Sequence, residues 1–271
     1  MQIERIDLIK ESILENDFLS VLDTREDYFC QNNLLLSNLV FVLWNTLKSL
    51  NFKRIIVFGN NEKIFFLDNE SKKLCFTGQN KNLVNGPLGE INILNFKDNY
   101  FENQRLLSDK TQYEIMTKSL DKLAVENIPT CFIFIDIEYL SSNKNYTYII
   151  KSINRCLNIR NNSNKFIFTC SNSSLDLLIN KLKLNQYFKN IEITSPCKIE
   201  IMNLINNFRI VNKFKIDWRH IDNFIENIYQ EKLFLKDIYN GLKKIDDLSK
   251  FTLQNNIDKS NDNNPLKWIE L

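Results

Sequence analysis

The chain has 271 residues, 44% of them hydrophobic and 25% charged, so it is long enough to bury a sizeable core. Its 35 Lys and Arg residues nearly balance its 33 Asp and Glu residues, which excludes the basic excess typical of general nucleic-acid or membrane-surface binding. Six isolated cysteines and a single histidine exclude a Cys/His zinc site and favour a reducing, cytoplasmic setting.

The first part of the chain is predicted to hold two helices and a small antiparallel region. Apolar residues recur at helical spacing over 2–16 and 32–50. The acids spread through the first segment argue against a secretory signal. The longest apolar window, 38–50, is too short to span a bilayer. Over 54–78 three short apolar runs separated by turn residues predict a β-meander.

Strands and helices alternate in the second part of the chain. The stretch CFIFIDIEYL (131–140) begins with a continuous apolar run, which predicts a buried strand. Other predicted elements are a strand at 91–96, helices from Asp109 and at 146–159, a strand at 165–172, a helix at 174–184, a short strand at 190–193, and helices at 198–210, 218–230 and 233–245. This order predicts an α/β fold in which a parallel-sheet core is followed by a C-terminal helical lid.

The order of elements over 129–245 resembles the second half of an AAA+ ATPase module. CFIFIDIEYL is similar to the Walker B strand, and KFIFTCSNSS (165–174) is similar to the sensor-1 strand. The helix, short strand, proline and further helices that follow resemble the path into the family's lid. The resemblance rests on element order, because no single motif carries it.

The resemblance implies positions for site residues, and the sequence departs from the family at each of them. Asp136 matches the aspartate of the Mg²⁺ shell, but Ile137 stands where the family has its catalytic glutamate and Glu138 comes one residue late. Thr169 and Asn172 take the sensor-1 position. Alternatively, Asp136 and Glu138 only cap the next helix or lie in solvent.

A phosphate-binding loop needs the pattern GxxxxGK[ST], and none of the five glycines provides it. The weak candidate is FGNNEKIFF (58–66), with Gly59 and Lys63, which continues as a strand instead of a helix. We therefore expect four regions. They are an N-terminal helical and β region replacing the nucleotide-binding front half (1–108), the α/β core (109–195), the lid (196–245) and a polar tail or linker (246–271).

The leading functional hypothesis is a catalytically inactive AAA+-like subunit with an architectural or regulatory role. It would bind no cofactor and would pack against itself or an active AAA+ ATPase, without a membrane partner. One alternative is a divergent ATP-binding protein or weak ATPase that uses ATP and Mg²⁺. Another is a nucleic-acid-associated module similar to the inactive subunits of clamp loaders.

Overall fold

A computed structural model describes residues 4–23, 26–30, 36–59, 63–76, 123–124, 126, 128–135, 151, 155, 164–170, 188–213 and 218–243. The chain divides into two compact units. We call Ile9–Thr24 with Leu43–Glu192 the sheet unit, and Met1–Leu8 with Arg25–Val42 and Ile193–Leu271 the helical unit. Each unit therefore combines segments that are distant in the sequence.

The described helices and strands follow one another in a mixed α/β order. They are α1 (Glu4–Glu15), β1 (Phe18–Leu22), β2 (Tyr28–Cys30), β3 (Leu36–Asn38), α2 (Leu39–Ser49), β4 (Arg54–Gly59), β5 (Lys63–Phe65), α3 (Asn69–Phe76), β6 (Thr130–Phe134), β7 (Lys165–Cys170), β8 (Phe188–Glu192), α4 (Lys198–Asn212), a 3-10 turn (Trp218–His220), α5 (Ile221–Gln230) and α6 (Leu235–Lys243).

The sheet unit contains a six-stranded sheet with the order β5-β4-β6-β7-β1-β8. The pairs β4–β6, β6–β7, β7–β1 and β1–β8 are all parallel, and only the edge strand β5 is antiparallel to its neighbour. The predicted parallel α/β fold with C-terminal helices is therefore confirmed. The apolar runs predicted as strands at 131–140 and 165–172 are the adjacent strands β6 and β7.

Phenylalanine side chains hold neighbouring strands together across one face of the sheet. Phe134 of β6 stacks on Phe58 of β4 and on Phe168 of β7, with ring centroids 4.6 and 5.0 Å apart. Phe166 stacks at 5.0 Å on both Phe132 and Phe18. All of these rings except that of Phe18 are at most 1% exposed. Such aromatic pairs stabilise strand pairing beyond the area that they bury.

The helical unit is built from α4, α5, α6 and the hairpin of β2 and β3. Its core consists of buried aliphatic and aromatic side chains at helical spacing, together with Cys30 of the hairpin: Ile201, Leu204, Ile205, Phe208, Ile221, Phe224, Ile225, Ile228, Leu233, Leu235, Ile238 and Leu242. Tyr28 and Leu36 pack against the same core. The three predicted C-terminal helices are thus confirmed, and the hairpin is a part of their unit that the sequence did not predict.

Two predicted elements differ from the structure. The third strand of the β-meander is wrong, because residues 69–76 form the helix α3. Asp68 precedes that helix and accepts hydrogen bonds from the N–H and hydroxyl of Ser71, which is the arrangement of a helix N-cap. The predicted helix 32–50 is shorter at its start, since Leu36–Asn38 form β3.

The predicted boundary after residue 108 does not divide the sheet. Strand β1 pairs with β7 and β8, and β4 pairs with β6, so strands from both sides of that boundary alternate. The predictions for 79–107, 109–122, 174–184 and 246–271 lie outside the described residues. Of the predicted helix 146–159, Lys151 and Arg155 are described and helical. No helix in the described ranges is long and apolar enough to cross a membrane.

Candidate functional site

The path of the chain through the sheet singles out the carboxyl end of β1. From β1 the chain crosses to β4, and then returns strand by strand through β6 and β7 to β8 on the far side of β1. The strand order therefore reverses at β1. In open parallel sheets, ligands bind outside the carboxyl ends of the strands at such a reversal. A phosphate loop, where present, occupies the connection from a strand to the following helix.

At this end of the sheet unit the last residues of β1 and β7 lie side by side. Val21 is in register with Thr169, and Leu22 with Cys170. The backbone N–H of Asp23 donates to the carbonyl of Cys170 over 2.9 Å, so the pairing extends one residue beyond β1. Asp23 and Thr169 are 7% and 5% exposed. Thr169, predicted from the sensor-1 resemblance, thus lies on the strand beside β1.

The connection that leaves β1, residues 23–38, contains neither glycine nor lysine. It carries three acids, Asp23, Glu26 and Asp27, against one arginine. Instead of a loop, its described residues form the antiparallel hairpin of β2 and β3. At the start of α2, the side chain of Asn38 accepts the N–H of Phe41 over 2.9 Å. The first turn of this helix is therefore capped by the protein itself.

Arg5 anchors this connection inside the helical unit. Its guanidinium is 2% exposed and donates through all five N–H groups. Nε and Nη2 bind the two carboxylate oxygens of Glu200 at 2.8 and 2.9 Å, and Nη1 binds Asp27 at 2.6 Å. The remaining N–H groups reach the carbonyls of Thr194 and Tyr28 at 3.1 and 3.0 Å.

Both acids of this cluster have a second structural task. The other oxygen of Asp27 accepts the backbone N–H of Lys236, in the first turn of α6, over 2.8 Å. Glu200 accepts the N–H of Cys197, the N-cap residue of α4, over 3.4 Å. We call Arg5, Asp27 and Glu200 the buried ion cluster. It connects the start of α1, the connection after β1 and the first turns of two helices.

The electrostatics of the cluster follow from one cation between two buried carboxylates. Burial lowers the pKa of Arg5, but the hydrogen bonds and charges of Glu200 and Asp27 outweigh it, and the pKa is raised. For Glu200 burial is the larger effect and raises the pKa against the opposing influence of Arg5. Arg5 therefore stays charged, and its positive charge offsets the cost of burying two carboxylates.

The other predicted site residues are not brought together by the described part of the chain. Asp136, Glu138 and Asn172 lie outside the described residues. Gly59 and Lys63 are directly paired across the antiparallel strands β4 and β5, at the edge of the sheet. A β-carbon at Gly59 would lie 2.2 Å from Cε2 of Phe65, so the packing of that ring accounts for this glycine. Among the described residues, no group of three acids, cysteines or histidines could hold a metal ion.

Sequence reasoning missed both β1 and the buried ion cluster. The signal for β1 was available, since FLSVL has four apolar residues among five and is bounded by Asp17 and Asp23. For Arg5 the signal was its position four and eight residues before Ile9 and Ile13, on the buried face of α1. Its partners, 22 and 195 residues away, had no local signal.

Comparison with known proteins gives likenesses among solved structures alone. No family model matches the chain, and no curated protein matches it. Among solved structures, the chain is similar to the crystal structure of the FIGL-1 AAA domain in complex with ADP, at 12% sequence identity and a TM-score of 0.35. That match covers 49% of this chain and 44% of the other, so it spans less than half of each.

Proposed function

We propose that this chain is an AAA+-like module that neither binds nor hydrolyses ATP, and that it acts as an architectural or regulatory subunit. The observation that carries the proposal is the connection after β1. It leaves the sheet where the strand order reverses, yet its described residues form a hairpin and contribute Asp27 to the buried ion cluster.

The chemistry of that connection is unsuited to phosphate. A phosphate loop surrounds its ligand with bare backbone N–H groups, which requires glycines, and adds a lysine that reaches the β and γ phosphates. Residues 23–38 offer neither residue type. Their three acids would instead repel a polyphosphate, and the carboxylate of Asp27 already holds Arg5 and the first turn of α6.

An architectural role suits a chain that keeps a large packed core without that loop. The sheet unit has five parallel strands, and the helical unit has its own apolar core. Such a module would provide a surface for protein–protein contacts and would not hydrolyse ATP. The partner would be a second copy of the chain or an active AAA+ ATPase.

The test is titration of the purified chain with ATP and Mg²⁺, followed by thermal unfolding and by phosphate release. A ligand present at a hundredfold excess over its Kd stabilises a protein by about 2.7 kcal/mol, which raises Tm by several degrees. We expect no such shift, and no phosphate release above that of the Asp136→Ala variant. The matched control is Glu138→Ala, which removes the second acid of the same segment.

Two results would overturn the proposal. A rise in Tm with ATP that Asp136→Ala abolishes would establish the ATP-binding switch instead. DNA binding that weakens steeply with salt would favour the nucleic-acid module, since phosphate contacts are lost as counterions compete.

A further inference from the structure

The hairpin of β2 and β3 is fixed by the rest of the helical unit and not by a larger sheet. Its strands, Tyr28–Cys30 and Leu36–Asn38, have three residues each, and within the described part of the chain they pair only with each other. A two-stranded hairpin of this size is at best marginally stable by itself in water. Its position therefore depends on its contacts with the helices of its own unit.

Apolar side chains of β2 cover the core of the helical unit. Phe29 and Cys30 are 0% exposed, and Cys30 belongs to the same buried cluster as the apolar side chains of α4, α5 and α6. The ring of Tyr28 meets the ring of Tyr239 edge to face, with centroids 5.7 Å apart. Detachment of the hairpin would open this core to solvent, so the hairpin controls access to it.

Polar contacts attach the hairpin to the helices through three consecutive residues. Asp27 accepts hydrogen bonds from Arg5 over 2.6 Å and from the backbone N–H of Lys236 over 2.8 Å, one on each carboxylate oxygen. Glu26 pairs with Nζ of the same lysine at 3.3 Å. The carbonyl of Tyr28 accepts a further N–H of Arg5 over 3.0 Å. We call Glu26, Asp27 and Tyr28 the latch.

Two features of the latch favour its release. Glu26 has a φ of 49°, in the left-handed region that is unfavourable for a residue with a β-carbon. Asp27 is the second carboxylate on one buried cation, and when it leaves, Arg5 and Glu200 remain as a pair of balanced charge. Release therefore relaxes the backbone and returns the surplus negative charge to water.

We propose that the hairpin is a detachable strap, which leaves the helices as one piece far more often than the protein unfolds, and that the latch sets the frequency of this opening. Segments with few buried contacts and few ladder hydrogen bonds open below the free energy of global unfolding. Opening exposes the apolar core under β2, while α4, α5 and α6 keep their own hydrogen bonds. The strap regulates access to that core, and this role is independent of ATP.

Thiol labelling of the full chain under native conditions tests the strap. Cys30 lies in the hairpin and Cys131 in β6 of the sheet unit, and both are 0% exposed. Each thiol reacts with N-ethylmaleimide when its surroundings open, and mass spectrometry of the peptides follows the two separately. We expect Cys30 to react at least about tenfold faster than Cys131, and with a weaker dependence on urea, because a local opening exposes less surface.

Two substitutions should change the labelling of Cys30 in opposite directions. Asp27→Asn leaves one acceptor for two donors, so the reaction should become at least about tenfold faster. Glu26→Gly removes the left-handed strain, so the reaction should become about threefold slower. Glu26→Gln is the matched control, because it keeps the strain and removes only an exposed ion pair, and it should change the rate by less than about twofold.

Hydrogen exchange separates opening of the strap from opening of the whole helical unit. The central amides of α4 should stay protected while those of β2 exchange. Equal labelling rates for Cys30 and Cys131, equal protection of β2 and the centre of α4, or a Cys30 rate that neither Asp27→Asn nor Glu26→Gly changes would each overturn the inference. The comparison of the two thiols uses the wild-type chain, so it holds even where a variant does not fold. A chain that binds ATP and labels as expected contradicts only the proposed function.

Discussion

Arg5 and Glu200, 195 residues apart in the sequence, form a two-pronged ion pair in which Nε and Nη2 of the arginine meet both oxygens of the carboxylate at 2.8 and 2.9 Å. The pair is buried, and Asp27 makes it a cluster with more negative than positive charge. Breaking a buried pair by removing one partner is far more damaging than replacing the whole set by apolar residues. Removal of Arg5 is therefore expected to be costly to the helical unit.

Arg5→Met should destabilise the protein by about 3–5 kcal/mol, because two carboxylates remain buried without their cation. Urea unfolding measures the loss. Lys10→Met is the matched control on the same helix, and because Lys10 is exposed its replacement should cost little. Arg5→Lys should be intermediate, since an ammonium group cannot bind both oxygens of Glu200 in the same fork geometry. Equal stability of Arg5→Met and Lys10→Met would refute this assignment.

Gly59→Ala should destabilise the protein by about 1–3 kcal/mol, since the new methyl group collides with the buried ring of Phe65. A double-mutant cycle with Phe65→Leu separates this collision from a general effect. The second substitution makes room for the methyl group, so the double variant should lose less stability than the sum of the losses of the two single variants. Strict additivity would mean that the ring of Phe65 is not the obstacle.

Asp68 should make stability depend on acid pH. Burial raises the pKa of its carboxyl, but hydrogen bonds from Ser71 and Trp44 and the charge of Lys48 outweigh it, and the pKa is lowered. The unfolded chain then binds the proton more readily than the folded one. The stabilisation is complete above the unfolded pKa, which is about 4, and is lost as pH falls through the folded pKa.

Asp68→Asn should therefore lower stability at neutral pH and flatten its decline below about pH 4. Trp44, whose indole donates to Asp68 over 2.8 Å, reports the change by fluorescence during unfolding. Glu70→Gln is the control, because Glu70 is 55% exposed and pairs with the same Lys48. If both variants show the wild-type pH profile, the hydrogen bonds to Asp68 do not discriminate between its protonation states.

The cysteines should differ sharply in their reactivity. Burial and the charge of Glu200 raise the pKa of the Cys30 thiol to about 12, and burial also raises the pKa of the Cys75 and Cys131 thiols. Because the thiolate is the reactive form, these three should resist alkylation at mildly alkaline pH, whereas the partly exposed Cys197 should react. Mass spectrometry of the labelled peptides measures the order. Labelling of Cys30 as fast as Cys197 would contradict it.

The elements that sequence reasoning predicted correctly are those with a strong local pattern. A single short segment is enough to recognise the continuous apolar runs of β6 and β7 and the helical spacing of apolar residues in α4, α5 and α6. The helix α3 was mistaken for a strand because Leu74, Cys75 and Phe76 are consecutive apolar residues. Asp68 to Ser71 looked like a turn, since Asp and Ser favour turns and helix N-caps alike.

The candidate site was less predictable because it depends on strand order. Nothing local in FLSVL states that it lies between β7 and β8, 140 or more residues later in the chain. Without that placement the reversal of strand order could not be located, and Gly59 was the best loop candidate available. The role of Asp27 depends on its ion pair with Arg5, whose other partner, Glu200, lies in α4.

The buried ion cluster cannot form until late in the synthesis of the chain, because its residues are far apart in the sequence. Glu200 leaves the ribosome 195 residues after Arg5, and Lys236 reaches Asp27 across a separation of 209 residues. At a translation speed of about 5–20 residues per second, the hairpin of β2 and β3 waits some ten seconds or longer for its partners. During that interval its apolar side chains and unpaired charges are open to chaperones and to other nascent copies.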